Sequence, residues 1–484
     1  MGLAPHPRLF LLALLLAAGL AGPARGFEAV VYLPDGRPAA DAQVLLLGQT
    51  GAARTGPDGR FAWVPEPRPP FQVLIVLPGD VYTSPLLVES LPEDGSPLAL
   101  TVLLAAEETV TVEAGVTPHT EAPPANASTV VLRESMEQRR PPNLTDTIAG
   151  VPGAGRVGEG ASAVPSLRGL ARGRTLILVD GARVTSERRA GPSAMFLDPA
   201  TLEAVEVARG PGSVAGGADA FGGVIHARTR KAPLGGPWAG RVDASVGAAL
   251  PQRALLGEVG RGLGDGGFLV QGRYREFDDY ESPAGTVPGS GFRDGGFRVQ
   301  GHHEVGPGRL RAGWQSDFGR DIGKPSSEWK LARTIYPVED SHRFTLGYDG
   351  DPAGALQRWW VDAFAGSSRL VTDREKGSET VDERRQSDLR ANDYGLRATG
   401  AGAAGGVALR GGVDLNGRVG LETLETIDRG DAEGGGTTHE ETVAIEDASR
   451  HDLGAWLTVE ARALQWLLLS GGLRYDHVAT QNTG

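Results

Sequence analysis

Between Val205 and Arg230 the chain reads VEVARGPGSVAGGADAFGGVIHARTR, and the spacing of its glycines restricts what it can build. A short strand, Val205 to Val207, runs into Arg209-Gly210-Pro211-Gly212, a turn in which glycine permits positive φ and proline fixes the entry angle. A second cluster, Gly216-Gly217 and Gly222-Gly223, leads into another strand, Val224 to Arg228. Upstream stand Ser166-Leu167-Arg168-Gly169 and an apolar strand, Leu176 to Val179, which closes in an Asp180-Gly181 turn. The spacing Gly210-x-Gly212-x-x-Ala215 after a strand also meets the loose dinucleotide fingerprint, but that site needs a long helix and an acidic residue about 20 positions on. Here glycines interrupt any long helix, and the later positions hold Arg228, Arg230 and Lys231. A glycine-rich connection in an unrelated β protein is the bland alternative.

The N-terminus directs export. His6 and Arg8 precede an apolar run from Leu9 to about Ala21, and Ala24 and Gly26 supply small residues for cleavage before Phe27. Residues 1–26 thus read as a signal peptide, with cleavage after Ala21 or Ala24 also open. No later segment offers 18 uninterrupted apolar residues, so any membrane span must be made of strands. Without cysteine there is no disulfide or thiolate metal site. The 71 glycines follow no collagen period, which suits β turns. A net charge of −12 argues against nucleic acid as a partner.

In order along the chain, Arg168-Gly169, Leu178-Val179-Asp180-Gly181, Glu206-Val207-x-Arg209-Gly210-Pro211 and Gly222-Gly223-Val224-Ile225 resemble the landmarks of the plug domain of TonB-dependent outer-membrane receptors. The resemblance implies a small mixed α/β plug over 129–235, in which these motif residues serve structure and gating. Val130 to Leu132 suggests a strand. Asn143 can cap a short helix from Leu144 to Ala149, ended by Gly150 and Pro152. Arg168, Asp180, Arg209 and Arg230 are candidates for ion pairs within the plug or with a surrounding wall, ordinary solvated charge being the other reading.

Ahead of the plug, in 106–128, the run Glu107 to Glu113, EETVTVE, alternates β-branched residues as a segment must to add to a partner's sheet. Glu108, Thr109, Val110, Thr111 and Val112 resemble a TonB box in the place where that family carries one, which implies binding to TonB of the TonB-ExbB-ExbD complex. A last strand of the preceding domain, or a linker, remains open. Pro118 to Ser128 is rich in Pro, Ala and Thr and reads as a flexible leash. The sequons at Asn126 and Asn143 are coincidental in this setting.

Residues 27–105 carry short apolar strands, Val30 to Tyr32, Val44 to Leu47, Phe61 to Val64, Phe71 to Leu77 and Leu98 to Leu104, with Pro34-Asp35-Gly36 and Pro57-Asp58-Gly59 turns between them. This spacing argues for a small β-sandwich. Asp35-Gly36-Arg37-Pro38, Ala42-Gln43-Val44 and Thr55-x-x-Asp58-Gly59-Arg60-Phe61 resemble the carboxypeptidase regulatory-like domain, which implies a transthyretin-like sandwich without peptidase activity. No His-x-x-Glu or other zinc set accompanies it. Carbohydrate contact, protein contact and a passive periplasmic spacer all remain open for it.

From about 236 to 484 the pattern becomes strands of about ten residues with an apolar and a polar face, as in a transmembrane barrel. Phe268, Val270, Gly272 and Tyr274 alternate with Gln271, Arg273 and Arg275; Phe344, Leu346 and Tyr348 with Arg343, Thr345 and Asp349; Leu467, Leu469, Gly471, Leu473 and Tyr475 with Ser470, Arg474 and Asp476. Trp466 and Tyr475 are placed to mark the two lipid interfaces. Short connections are expected near 262–266, 305–308, 349–354 and 400–406, facing the periplasm, and long loops over 278–294, 318–339, 372–386 and 416–450, facing outward. The last loop holds nine acidic residues from Glu422 to Asp447 against Arg429 alone, either a collector of cationic ligands or a solvated charge run. His302-His303 sits at a periplasmic strand end and reads as incidental. The closing polar run from Ala479 reads as the start of another outer loop. About eleven strands are expected where receptors of the resembled family have 22, so the gene is expected to continue beyond Gly484.

The expected fold class is therefore mainly β: an N-terminal sandwich, a small α/β plug and an antiparallel transmembrane barrel, about half of it present. Scattered histidines and the lack of a Gly-x-Ser-x-Gly elbow leave no catalytic constellation, and no metal or cofactor is called for. The resemblance implies active uptake of a scarce nutrient (ferric siderophore, cobalamin, glycan or peptide) across a Gram-negative outer membrane, with outer-membrane lipid, TonB and a small-molecule or glycan ligand as partners. A barrel-anchored surface receptor or carbohydrate-binding adhesion protein is the alternative; an exported enzyme with a regulatory sandwich lacks an active site.

Overall fold

A computed structural model of the chain describes residues 27–482, apart from 47–52, 64–66, 68, 70, 79–80, 84, 93–95, 103–109, 113–126, 172, 186–193, 195, 211–212, 218, 234–235, 248–251, 327–331, 351–355, 357, 378–381, 405–406, 431–436 and 465–466. The signal-peptide reading of 1–26, Trp466 and most of the leash fall outside the described residues. No helix among those described is long and apolar enough to cross a membrane.

The first strands are β1 (Phe27–Tyr32), β2 (Gln43–Leu46), β3 (Ala53–Arg54), β4 (Arg60–Trp63), β5 (Phe71–Leu77), β6 (Val81–Tyr82), β7 (Leu86–Val88) and β8 (Leu98–Thr101). They form two sheets, β4-β1-β8 and β3-β2-β5-β6 with β7 on β5. Between the sheets lie Ala29, Val31, Val44, Leu46, Phe61, Trp63, Val73 and Ile75, so this segment is a β-sandwich with one core. Both Asp-Gly turns form as their residues require. Gly36 and Gly59 have φ of 82° and 74°, while the Asp35 and Asp58 side chains accept from the backbone N–H of Arg37 and Arg60, each at 3.1 Å.

The plug follows as β9 (Val110–Val112), β10 (Ala127–Leu132), β11 (Ala154–Val157), β12 (Val164–Leu167), β13 (Thr175–Val179), β14 (Ala182–Arg183), β15 (Leu202–Arg209) and β16 (Gly223–Thr229). Six of them make one mixed sheet in the order β14-β13-β16-β15-β10-β9, with β13 and β16 parallel. Its central strands are buried on both faces, and Val131, Ile177, Val205, Val207 and Ile225 centre the core. Asn143 caps a helix as expected, accepting the N–H of Asp146 at 2.8 Å, but the helix is one turn, Leu144–Thr147. A second helix, Arg133–Arg139, has no counterpart in the sequence reading: Leu132 at its N-cap makes no side-chain cap, and burial of Met136 against the plug core is what holds it.

The remaining large strands are β17 (Ala239–Gly247), β18 (Gln252–Leu263), β19 (Gly266–Phe277), β22 (Phe292–Glu304), β23 (Gly308–Gly323), β24 (Ala332–Gly350), β25 (Arg358–Lys376), β26 (Glu383–Ala404), β27 (Val407–Gly430), β28 (Thr437–Leu464) and β29 (Leu467–Gln481). A small hairpin, β20 (Glu281–Ser282) with β21 (Gly285–Thr286), lies between β19 and β22. All eleven large strands pair antiparallel in sequence order, with β17 and β29 at the two edges of an open sheet. The expected faces are correct: Val270, Tyr274, Phe344, Leu346, Leu473 and Tyr475 are exposed on the outside, and Gln271 and Arg275 are buried toward the plug.

Strand lengths correct the sequence reading. The apolar alternation predicts strands of about ten residues, but β24 and β25 have 19 each and β28 has 28. Three of the expected long loops, 318–339, 372–386 and 416–450, are mostly continuations of paired strands. Beyond the lipid the apolar alternation ends while the hydrogen-bond ladder goes on, so polar strand resembles loop by composition. The acidic run is likewise a paired hairpin, with Arg429 bridging Glu383 and Glu440. The final run near Ala479 is still β29, and not the start of a loop.

The sandwich rests on the plug through Leu45, Leu74 and Val76 of one against Val130, Leu132 and Ala204 of the other. Within the plug, Gly223 (φ 140°) lies so close to β15 that an added Cβ would collide with the Ala208 carbonyl oxygen. Gly223→Ala should therefore cost about 3 kcal/mol or more, while Gly169→Ala, at φ 76° with open space around it, should cost only about 1 kcal/mol. Thermal unfolding of the detergent-solubilised variants measures the difference, and equal midpoints would contradict it.

Candidate functional site: the plug and its charged contacts with the barrel wall

The turn joining β13 to β14 is the centre of the site. Asp180 (φ 48°) and Gly181 (φ 86°) are both left-handed, as a two-residue hairpin of this kind requires. This projects the Asp180 carboxylate toward β16 and the wall. It accepts from the backbone N–H of Thr229 at 3.0 Å, from Thr229 Oγ1 at 2.5 Å, from Lys231 Nζ at 2.9 Å and from Arg298 of β22 at 2.5 Å. Burial pushes this carboxyl upward, but Lys231, Arg298 and the Thr229 hydroxyl outweigh it and hold the group well below the usual carboxylate range.

Beside it, the Gly181 N–H donates to His226 Nε2 at 2.9 Å. The ring is 2% exposed and its Nδ1 has no hydrogen-bond partner. Burial lowers its pKa from 6.5 to about 3, against the pull of Asp180, so the imidazole is neutral.

The other motif residues divide by role. Arg168 (φ 52°) and Gly169 (φ 76°) form a left-handed turn in which the Arg168 N–H donates to the Gly153 carbonyl at 2.7 Å, and the Arg168 side chain is exposed. Glu206, 1% exposed, pairs with Arg228 at 3.4 Å. Arg209 donates to the Pro152 carbonyl at 2.9 Å and to Thr129 Oγ1 at 3.2 Å, fastening β15 to β10 inside the plug. Gly210 (φ 111°) donates its N–H to the Gly222 carbonyl, and Gly222 to that of Arg174. Pro211 and Gly212 lie outside the described residues. The following helix, Ser213–Gly216, is a single turn and cannot serve a dinucleotide. Of the four candidate ion-pairing residues, Asp180 and Arg230 reach the wall, Arg230 through Glu258; burial lowers the Arg230 pKa to about 10.

The wall supplies partners of which the sequence marks Arg273, Arg275 and Arg474 as polar-face residues without indicating what they meet. Arg273 binds Asp294, Asp317 and the Phe196 carbonyl of the plug; Arg275 binds Asp294 at 2.7 Å, Asp198 at 3.3 Å and the Pro142 carbonyl at 2.8 Å. Arg474 joins Asp414 and the Ala215 carbonyl, and Arg397 also donates to Ala215. Thr185 Oγ1 donates to Asp393 at 2.7 Å, which also pairs with Arg418. These wall residues occupy the polar face already visible in the alternation. Their pairing depends on plug-to-wall register, which no short sequence pattern encodes.

Two recesses flank these contacts. Toward the long hairpins, Thr185, Phe196, His342, Arg343, Asp393 and Arg418 line a pocket in which Arg343 lies 5.7 Å over the Phe196 ring. Toward the short turns, a cavity of about 180 Å³ runs between plug and wall past Asp180, His226 and Asp362. Among the described residues, no cluster of His, Asp and Glu could hold a metal ion. In the box segment, Val110, Thr111 and Val112 pair antiparallel with Val130, Thr129 and Ser128, placing β9 at the open edge of the plug sheet and not in the sandwich; Glu108 and Thr109 are outside the described residues.

Residues 122–224 match the family model of the TonB-dependent receptor plug domain, and this stretch contains the Asp180 turn, Arg209 and the Gly222-Gly223 approach. This part of the chain is a TonB-dependent receptor plug domain. Over 147 residues it is 39% identical to the iron-regulated outer membrane virulence protein of Vibrio cholerae, covering 29% of this chain and 22% of that protein. Over 125 residues it is 33% identical to the vitamin B12 transporter BtuB of Vibrio vulnificus, covering 25% of this chain and 20% of that one. The fold is similar to that of the copper transporter OprC (TM-score 0.60, 19% identity, 73% of this chain and 55% of that one) and of the unliganded ferric citrate transporter FecA (TM-score 0.58, 15% identity, 74% and 57%). The aligned part is thus about a fifth of the length of the curated relatives. The Vibrio cholerae relative is named as an outer membrane protein.

Two outcomes test the charged centre. Asp180→Asn leaves Lys231 and Arg298 facing a neutral amide and should weaken plug docking by about 3 to 5 kcal/mol, whereas Arg168→Ala should stay within about 0.5 kcal/mol of the parent; protease resistance of the plug and the unfolding midpoint report both. For His226 the folded pKa lies below the unfolded one, so the unfolded state binds the extra proton and stability falls as pH drops from about 6.5 toward 3. Between about pH 6.5 and 5 this amounts to about 2 kcal/mol, and His226→Gln should remove that contribution to the slope.

Proposed function

We propose that this receptor imports a scarce nutrient across the outer membrane, binding it at the pocket toward the long hairpins and passing it inward when the plug is displaced by TonB. The observation that carries this reading is the placement of β9. A strand on a sheet edge, joined to the plug by three residue pairs and continuous with it in sequence, can exchange its ladder for a partner's strand and then transmit a pull to β10. The energy would come from the inner membrane through the TonB-ExbB-ExbD complex, because the outer membrane sustains no gradient of its own. The polar pocket beside Phe196 suits an oxygen-rich ligand able to accept from Arg343 and Arg418. Ferric siderophore, cobalamin, glycan and peptide all satisfy that description. The plug residues Arg168, Gly169, Asp180, Gly181, Glu206, Arg209, Gly210, Pro211, Gly222 and Gly223 set the resting position from which displacement begins.

Val110→Pro tests the coupling segment. Proline removes a backbone donor from the strand that would pair with TonB, so uptake should cease while surface binding persists. Uptake and cell-surface binding of a labelled panel of ferric siderophores and cobalamin, with and without a working TonB system, separate the two. Parent-rate uptake in the variant would remove Glu108 to Val112 from this role, and uptake independent of TonB would favour a barrel-anchored receptor of another kind.

A further inference from the structure

The N-terminal sandwich meets the rest of the receptor in two unlike ways. Against the plug its contact is apolar: Leu45, Leu74 and Val76 are buried with Val130, Leu132 and Ala204. Against the barrel it is polar and partly solvated. Asp41 faces Arg309 at 3.6 Å, the pair being 43% and 22% exposed, and Arg358 donates to Gln43 Oε1 at 3.3 Å. Arg309 and Arg358 stand at the beginnings of β23 and β25, on the side of the short turns, which is the periplasmic side of such a barrel. The cavity between plug and wall reaches that rim, where His302, Glu304 and Gly350 line it together with three sandwich residues, Gln43, Ala53 and Arg54.

We infer that the sandwich is the lid of this cavity, carried by the plug and latched to the periplasmic rim of the barrel through Asp41–Arg309 and Gln43–Arg358. The asymmetry of the contacts sets the direction of opening. Exposed ion pairs and single hydrogen bonds contribute little each, whereas the buried apolar patch scales with its area. A displacement of the plug therefore breaks the rim contacts first and takes the sandwich with it. Arg54, held to Asp41 at 2.5 Å, keeps the latch carboxylate aimed at the rim. The lid's use in nutrient release rests on the import reading above, but the closure itself does not.

The chain has no cysteine, so a single reporter thiol can be placed in the cavity wall. Thr345 lines the cavity on the inward face of β24, and Thr345→Cys is nearly isosteric. In the purified full receptor, reaction of this thiol with a bulky charged maleimide reads access to the cavity and requires neither ligand nor TonB. Adding Arg309→Glu and Arg358→Glu, both outside the sandwich, should accelerate labelling about tenfold, while Arg309→Lys, which keeps the charge, should leave it slow. Labelling within about twofold of the parent in the double reversal would overturn the lid. Equally fast labelling in Arg309→Lys and in the reversal would also overturn it, because the Asp41 attraction would then play no part. Absence of uptake by the parent receptor, with the labelling result intact, would count against the import reading alone.

Discussion

Everything in this receptor depends on charge neutralised across the gap between plug and wall. Asp180 is nearly inaccessible to solvent and would be unstable there alone, yet it is enclosed by Lys231 and Thr229 from its own domain and Arg298 from the barrel. Removing two charges from water is costly, and only close geometry with additional donors offsets that cost. The same arrangement recurs at Arg273, Arg275 and Arg474, each of which joins a wall carboxylate to a plug carbonyl. An apolar joint of equal area would resist sliding less specifically. A set of ion pairs defines one seated position and penalises those between.

That specificity has a source in the local backbone. Only a left-handed pair at 180 and 181 turns the carboxylate outward, and only a glycine at 223 lets β16 approach β15 closely enough to align Thr229 and Lys231 with it. A neutral His226 completes the arrangement, since a charged imidazole would add a third cation to those already gathered round Asp180. The plug sheet thus places charge by means of its glycines.

How much of this is legible in the sequence follows from the range of each interaction. The Asp180-Gly181 turn, the Asn143 cap and the two faces of β19 and β24 can be read because they depend on neighbours within a few residues. Arg298, Glu258 and Asp393 cannot, since each meets a plug partner far away in the chain and only the folded register brings them together. The helix Arg133–Arg139 escapes because it has neither a side-chain cap nor an apolar stripe, and tertiary contact supplies its stability. The upper strands pass for loops because outside the lipid there is no longer an apolar face to mark them.

Those upper strands have a consequence of their own. At about 3.3 Å per residue, the 28 residues of β28 extend roughly 90 Å, or about 70 Å along the membrane normal at a tilt of about 40°. With a lipid band of about 25 Å, on the order of 40 Å of rigid hairpin stands clear of the bilayer. Its outermost carboxylates, Glu440 and Glu441, a few residues from the outer end of the strand, therefore lie about three Debye lengths or more above the lipid band, where the screening distance is about 8 Å. Their field is set by the surrounding medium and is electrically independent of the membrane on which the hairpin is mounted.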